Sequence, residues 1–174
     1  MEEVQSNMIS VARDYAHKCH DSTNHFYDGK AYSTHLAMVV AMAHKYLYLI
    51  DADKQEDVIA ACYCHDTIED TRQTYSDVAA STNAFVADLV YAVTNEKGRT
   101  RKERADDRYY SGIRNTGKEA VFVKMCDRLA NVAYSKQGNG RMLELYKKEN
   151  PHFESMLYRE DLSPMFDELQ KFFL

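Results

Sequence analysis

Four side chains in the run His65-Asp66-Thr67-Ile68-Glu69-Asp70 can do chemistry, one imidazole and three carboxylates, directly after the apolar stretch Ala60-Ala61-Cys62-Tyr63-Cys64. Residues three and four apart share a helix face. A helix that continues through the run therefore sets Glu69 one turn beyond His65 and Asp70 one turn beyond Asp66. Packing does not account for such a patch, because uncompensated carboxylates at the end of a buried segment repel one another and lose hydration. A bound divalent cation resolves both problems. The pair His-Asp alone carries little weight, since a second one, His20-Asp21, stands elsewhere in the chain.

A second polar intrusion falls between Lys118 and Tyr134. Val121, Phe122, Val123, Met125, Leu129, Ala130 and Val132 predict a buried helix, and Lys124, Asp127, Arg128 and Asn131 stand in it at three- and four-residue steps, which puts them on one side. Together with His35, in the first turn of another predicted helix, the candidate ligands are His35, His65, Asp66 and Asp127. Mixed nitrogen and oxygen donors with room for water suit Mn, Fe, Co or Zn better than Mg or Ca. Glu69 or Asp70 can take a proton from water, because a neighbouring like charge raises a carboxylate's pKa toward working pH. Lys124 and Arg128 offer positive charge to phosphate oxygens. Arg128 can equally pair with a ligand carboxylate from outside the coordination shell.

The frame for these groups is predicted to be all-α and a single domain over 1–174. Hydrophobic residues make up 45% and charged residues 28%, and 6 Gly with 2 Pro are too few turn formers for an all-β chain. The amphipathic spacing from Val4 to Cys19 predicts a first helix, 20–30 a loop, and Ser33 or Thr34 the cap of a helix reaching about Leu49. A polar linker at 51–54 leads into the helix that delivers His65 to Asp70. Thr74 or Ser76 and then Asn83 start two further helices, and 95–98 breaks the second. The charged run 99–108 predicts a solvated helix face laced by i,i+4 pairs. After the buried helix, Gly138 and Gly140 mark a turn, 141–149 and 154–174 predict the closing helices, and Pro151 and Pro164 mark boundaries.

A formal charge of -5 gives no broad basic surface, which argues against long nucleic acid and leaves room for a small anion on a local cationic cluster. The four cysteines, Cys19, Cys62, Cys64 and Cys126, lie in apolar segments without zinc-knuckle spacing, and predict free thiols in a reducing compartment. Met1-Glu2-Glu3-Val4 does not read as a signal peptide, and no apolar run approaches the ~18 residues of a membrane span. The expectation is a cytoplasmic protein with no membrane partner.

The order His35, His65-Asp66, Asp127 resembles the HD-domain metal-dependent phosphohydrolases. The longer runs His65-Asp66-Thr67-Ile68-Glu69-Asp70 and Val123-Lys124-Met125-Cys126-Asp127-Arg128-Leu129-Ala130-Asn131 resemble the hydrolase domain of RelA/SpoT-type alarmone enzymes, in their small stand-alone form. The resemblance runs from about Val11 to at least Tyr146. It implies a multi-helix bundle around one divalent metal, commonly manganese, held by His35, His65, Asp66 and Asp127. It further implies Glu69 and Asp70 as the catalytic acidic pair, Asn131 as a nucleotide contact and Tyr146 as a residue lining the same pocket.

The implied activity is hydrolysis of the 3′-pyrophosphate of guanosine tetra- or pentaphosphate, (p)ppGpp, by a metal-activated water. One departure bears on substrate. Where the alarmone enzymes carry a basic pair before an Asp-Gly turn, this chain reads Asn24-His25-Phe26-Tyr27-Asp28-Gly29, and the prolines that flank the family's first ligand are absent from Lys30-Ala31-Tyr32-Ser33-Thr34-His35-Leu36. Phe26 and Tyr27 can still stack on a base. Two alternatives stay open: an HD-family nucleotidase or phosphatase on another nucleotide, including an NADPH-type 2′-phosphate, and a non-catalytic nucleotide-binding module.

Overall fold

A computed structural model describes residues 2–174, with side chains from residue 7 onward. The readings made on Met1 and on the side chains of Glu2, Glu3 and Val4 lie outside the described residues. The chain opens with α1 (Glu2–Ser22), whose Ala12, Ala16 and Cys19 are buried at helical spacing. The predicted loop after it is shorter than 20–30. Its first residues prolong α1, and the rest form a small hairpin of β1 (Phe26–Tyr27) and β2 (Lys30–Ala31), antiparallel with Phe26 opposite Ala31 and Tyr27 opposite Lys30. Asp28 and Gly29 turn it with φ of 50° and 73°, positive values at both central positions, as a two-residue hairpin loop requires.

The next helix, α2 (Ser33–Tyr46), begins one residue earlier than a Ser33 or Thr34 cap implies. Leu36 N–H already bonds the carbonyl of Tyr32, so Tyr32 holds the cap position and no side chain caps the helix. Here the expectation of a hydroxyl cap is corrected. His35 does fall in the first turn, and α2 buries Leu36, Val39, Val40 and Ala43. The polar linker contains one short 3₁₀ turn before α3 (Gln55–Cys64), where Glu56 and Asp57 occupy the first turn and favour the positive end of the helix dipole.

That helix does not run through the His-Asp motif. It ends at Cys64 and resumes as the single turn α4 (Thr67–Asp70). Two side chains explain the break: His65 Nδ1 lies 2.8 Å from the carbonyl oxygen of Cys62, and Thr67 Oγ1 donates to that of Cys64 at 2.7 Å. Carbonyls that the next helical turn would engage are thus satisfied locally. The Asp66–Asp70 relation survives through Asp70 N–H to Asp66 O at 2.9 Å.

Thr74 caps α5 (Tyr75–Ser81) in a capping box with Asp77, and Asn83 caps α6 (Ala84–Val93). The charged run 99–108 is largely exposed, as predicted, but it is not one helix. Thr100 and Glu103 close a capping box on α7 (Arg101–Arg104), and Asp106 caps a separate α8 (Asp107–Thr116), so two local N-terminal signals override the charge pattern.

Gly117, at φ 126°, precedes α9 (Lys118–Gly138). The last helices are α10 (Gly140–Leu157) and α11 (Ser163–Phe172). Pro164 sits at the start of α11 as expected, whereas Pro151 lies inside α10, where it removes one backbone bond. Burial of Tyr146, Phe153 and Leu157 on either side of it keeps the helix continuous.

α9 is the axis of the bundle and packs against α2, α3, α6, α8, α10 and α11. Its Phe122, Met125 and Leu129 are fully buried, each worth about 1.5–3 kcal/mol in burial. The fold is all-helical apart from the hairpin, and that rigid packing fixes the polar side chains that α9 carries inward.

Candidate metal and catalytic site

Three elements converge on one point: the first turn of α2, the break between α3 and α4, and the middle of α9. They bring ligand atoms of His35, His65, Asp66 and Asp127 within 4.8 Å of one another, and Asp66 also belongs to a second such group with Glu69 and Asp70. His35 Nε2 is 3.1 Å from Asp127 Oδ1 and 3.8 Å from Asp66 Oδ2, and His65 Nε2 is 2.9 Å from Asp66 Oδ2 and 3.4 Å from Asp127 Oδ1. Donation from Nδ1 of His65 to Cys62 would hold the ring so that Nε2 faces the carboxylates, and a cation bound between them would displace the Nε2 proton and take its lone pair. His65 Nε2 is buried and has no hydrogen-bond partner. An orphaned imidazole nitrogen facing two carboxylates fits a divalent cation that takes both nitrogen and oxygen.

The electrostatics agree. Burial opposes charge on His65, yet Asp66 and Asp127 overcome it and hold its pKa well above the ordinary value. Burial alone raises the carboxyls of Asp66 and Asp127. The imidazoles reverse this, drawing Asp66 down to about 2 and Asp127 well below its usual value. The cluster therefore stabilises positive charge at its centre.

Glu69 and Asp70 lie outside that balance. Burial, then the Asp66 charge, raises the Glu69 carboxyl, although the backbone N–H of Asn95 donates to it at 2.7 Å. The Asp70 carboxyl is pushed up to about 8 by burial, Asp66 and Glu69. Two carboxyls with raised pKa beside a cation-binding cluster are suited to accept or hold a proton near neutral pH.

The cavity over the cluster is about 160 Å³ and is lined by all six of these residues and also by Tyr27, Lys124 and Asn131. Lys124 Nζ lies 3.5 Å from Asp127 Oδ2 and 5.5 Å from the Tyr109 ring centroid; burial disfavours its charge, but Tyr109 and Asp127 raise its pKa above the ordinary value. Asn131 donates to Asp127 Oδ1 at 2.9 Å and accepts from the Tyr27 hydroxyl at 2.8 Å. The Tyr27 ring stacks on His35, with centroids 4.6 Å apart and planes 19° from parallel.

Three residues read as substrate contacts do not line this cavity. Phe26 is 60% exposed on the hairpin. Arg128 turns the other way, donating to Glu149 at 2.9 Å and lying over the rings of Tyr146 and Phe153. Lys124, Asp127 and Asn131 do share a side of α9. Arg128 does not, because its neighbour in sequence is about 100° round the helix. Arg128 pairs with Glu149, not with a ligand carboxylate.

Tyr32, which the sequence reading passed over, donates its hydroxyl to Asp66 Oδ2 and is stacked against His20 and His25. Its position three residues before His35, facing the same way on a helical turn, is the signal that could have found it. His20 and Asp21 are outside both ligand groups among the described residues.

Residues 12–150 match the family model described as HD domain. A curated protein of Danio rerio, guanosine-3′,5′-bis(diphosphate) 3′-pyrophosphohydrolase MESH1, is 33% identical over 76 residues, which are 44% of this chain and 42% of that protein's length. A solved structure of a metazoan ortholog of SpoT, described as hydrolysing ppGpp, superposes with a TM-score of 0.67 over 96% of this chain and 97% of that one, at 21% identity.

Proposed function

The chain belongs to the HD domain family, and on that premise we propose that it is a metal-dependent phosphohydrolase acting on a nucleotide, in the manner of a (p)ppGpp 3′-pyrophosphohydrolase. One observation carries the reading: two imidazoles and two carboxylates meet within 4.8 Å, and one of those carboxylates is shared with a flanking pair of acids. A metal without proton-transfer groups would suit a structural site. The flanking pair suits hydrolysis.

His35, His65, Asp66 and Asp127 would hold the cation; the mixed donor set suits manganese, iron, cobalt or zinc, and manganese is the ion we favour by resemblance to the alarmone hydrolases. Bound there, it would supply Lewis-acid polarisation of a phosphate oxygen and would acidify a water. The chain's own groups do the rest. Asp70, with its raised pKa, takes the proton from the attacking water, and Glu69, tethered by Asn95, orients that water. Lys124 places fixed positive charge where the phosphoryl oxygens gain charge, and Tyr32 and Asn131 hold the two ligand carboxylates in place. Guanosine tetraphosphate is proposed as substrate by similarity to the named relative, and the hairpin sequence favours weighing a second reading, an HD hydrolase of another nucleotide such as a 2′-phosphorylated cofactor. The four unpaired thiols support a cytoplasmic setting. Among the described residues no helix is long and apolar enough to cross a membrane.

The test is a manganese-supplemented screen over guanosine tetraphosphate, the 2′-phosphorylated nicotinamide cofactor and ordinary mono-, di- and triphosphates, with Asp66→Ala as control. Pyrophosphate release from guanosine tetraphosphate, lost in the variant, is the expected result. Turnover of other nucleotides alone would replace the substrate and keep the chemistry.

A further inference from the structure

The two imidazoles of the cluster are held by different means. His65 is fixed from behind, its Nδ1 lying 2.8 Å from the Cys62 carbonyl oxygen. His35 has no such anchor: its Nδ1 is buried and has no hydrogen-bond partner among the described residues. An imidazole that gives Nε2 to a cation carries its proton on Nδ1, and an acceptor for that proton ordinarily sets the angle of the ring. For His35 the angle has to come from packing.

Tyr27 supplies that packing. Its ring lies on the His35 ring, centroids 4.6 Å apart and planes 19° from parallel, whereas Tyr32 meets His35 at 5.2 Å and 54°. The Tyr27 hydroxyl reaches α9 and donates to Asn131 Oδ1 at 2.8 Å, and the Asn131 amide in turn donates to Asp127 Oδ1 at 2.9 Å. With its oxygen engaged by a donor, that amide presents N–H to Asp127. One side chain thereby bears on two ligands from two elements, on His35 of α2 through its ring and on Asp127 of α9 through Asn131.

Tyr27 is itself held. It stands in β1 opposite Lys30, its ring packs edge-on against Tyr134 at 5.2 Å and 67°, and Tyr134 donates to Asp28 in the hairpin turn. A two-stranded hairpin is marginal alone, and these contacts tie it to α9. The ring face on His35 and the hydroxyl are thus engaged within the chain, a different task from the base stacking that the sequence suggests for Tyr27.

We propose that Tyr27 is a positioning residue for the cation, orienting His35 by ring stacking and Asp127 through the Asn131 amide. The inference rests on the phosphohydrolase reading only for the presence of a divalent cation, and it is independent of which nucleotide is cleaved.

The experiment titrates manganese and zinc calorimetrically into metal-free full chains without nucleotide, and follows unfolding of the same chains in urea. Tyr27→Leu removes both the stack and the hydroxyl and is expected to weaken metal binding about 10–100-fold, the range for losing a group that orients a ligand. Tyr27→Phe keeps the ring on His35 and is expected to lose roughly threefold, as for one neutral hydrogen bond. In an Asn131→Ala background, Tyr27→Phe should change metal affinity no further, because the hydroxyl acts through that amide. Unchanged metal affinity in Tyr27→Leu, accompanied by a raised KM for guanosine tetraphosphate or by lowered stability in urea alone, would overturn the proposal and leave Tyr27 a nucleotide contact or a packing residue. Where Tyr27→Leu does not fold, the Tyr27→Phe and Asn131→Ala pair decides, and additive effects would overturn the proposal. A wild type that takes up neither ion would overturn the cation reading and this inference with it. If the ion binds and no nucleotide is hydrolysed, the phosphohydrolase reading fails by itself, and the titrations still decide the role of Tyr27.

Discussion

Asp127 and Arg128 are adjacent on α9, both are largely buried, and they lead to opposite sides of the bundle. Arg128 meets Glu149, which Arg101 also engages at 3.1 Å, and the aromatic faces of Tyr146 and Phe153 cover the guanidinium. That charge is answered within the chain. On the other side Asp127, Asp66, Glu69 and Asp70 gather around two imidazoles, with Lys124 as their one lysine or arginine in the cavity lining. Negative charge there is in surplus. A buried charge that is paired marks architecture, and one left in surplus marks a place where a ligand completes the balance.

The largest effect expected from breaking this contrast is at the surplus side. Asp66→Ala should abolish metal retention, read as metal content after gel filtration, and reduce turnover by more than the ~10–100-fold typical of losing a residue that merely orients a ligand. Retained metal with full activity would remove Asp66 from the cluster. Next comes Glu69→Ala, which should keep the metal and lose on the order of 10²-fold in kcat, the cost of a mispositioned water. Equal loss of metal would make Glu69 a ligand and not a catalytic group.

On the paired side the effect is on stability. Arg128→Met should leave kcat on the nucleotide near wild type and lower unfolding free energy by about 2 kcal/mol in urea titration, below the ~3–5 kcal/mol of a fully broken buried pair because Arg101 still engages Glu149. A loss of activity without a loss of stability would place Arg128 in the chemistry and dissolve the contrast.

The contrast also marks how far the sequence could be read. His35, His65, Asp66 and Asp127 were legible because polar residues at helical spacing inside apolar runs have no packing reason to be there. The helices α5 and α6 were legible from Thr74 and Asn83, whose caps are local. Arg128 was grouped with Lys124, Asp127 and Asn131 because steps of three and four place residues within a broad sector, and the partner that draws it away, Glu149, lies 21 residues on in another helix. The break at His65 was hidden for a related reason: hydrogen bonds from His65 and Thr67 to backbone carbonyls compete with the helix without changing the apolar pattern. Tyr32 and the tether from Asn95 to Glu69 are tertiary contacts over 34 and 26 residues, which no local pattern carries.

The smallest expected effect is a pH dependence confined to the paired side. Burial raises the Glu149 carboxyl, and hydrogen bonds from Arg101 and Arg128 outweigh it and leave its pKa below the ordinary 4.5. A carboxyl depressed on folding contributes stability that is complete above its unfolded pKa and is lost as pH falls through its folded pKa. Wild type should therefore lose an increment of stability as pH drops below about 4.5, and Glu149→Gln should show a shallower loss over the same window in urea titrations at successive pH values. Because Glu149 takes no part in the metal cluster, metal content at neutral pH should be the same in both proteins. A Glu149→Gln variant that kept the full acid dependence would mean that the Arg128 pairing adds nothing to the folded state, and its burial against Phe153 would then be what holds Arg128 away from the site.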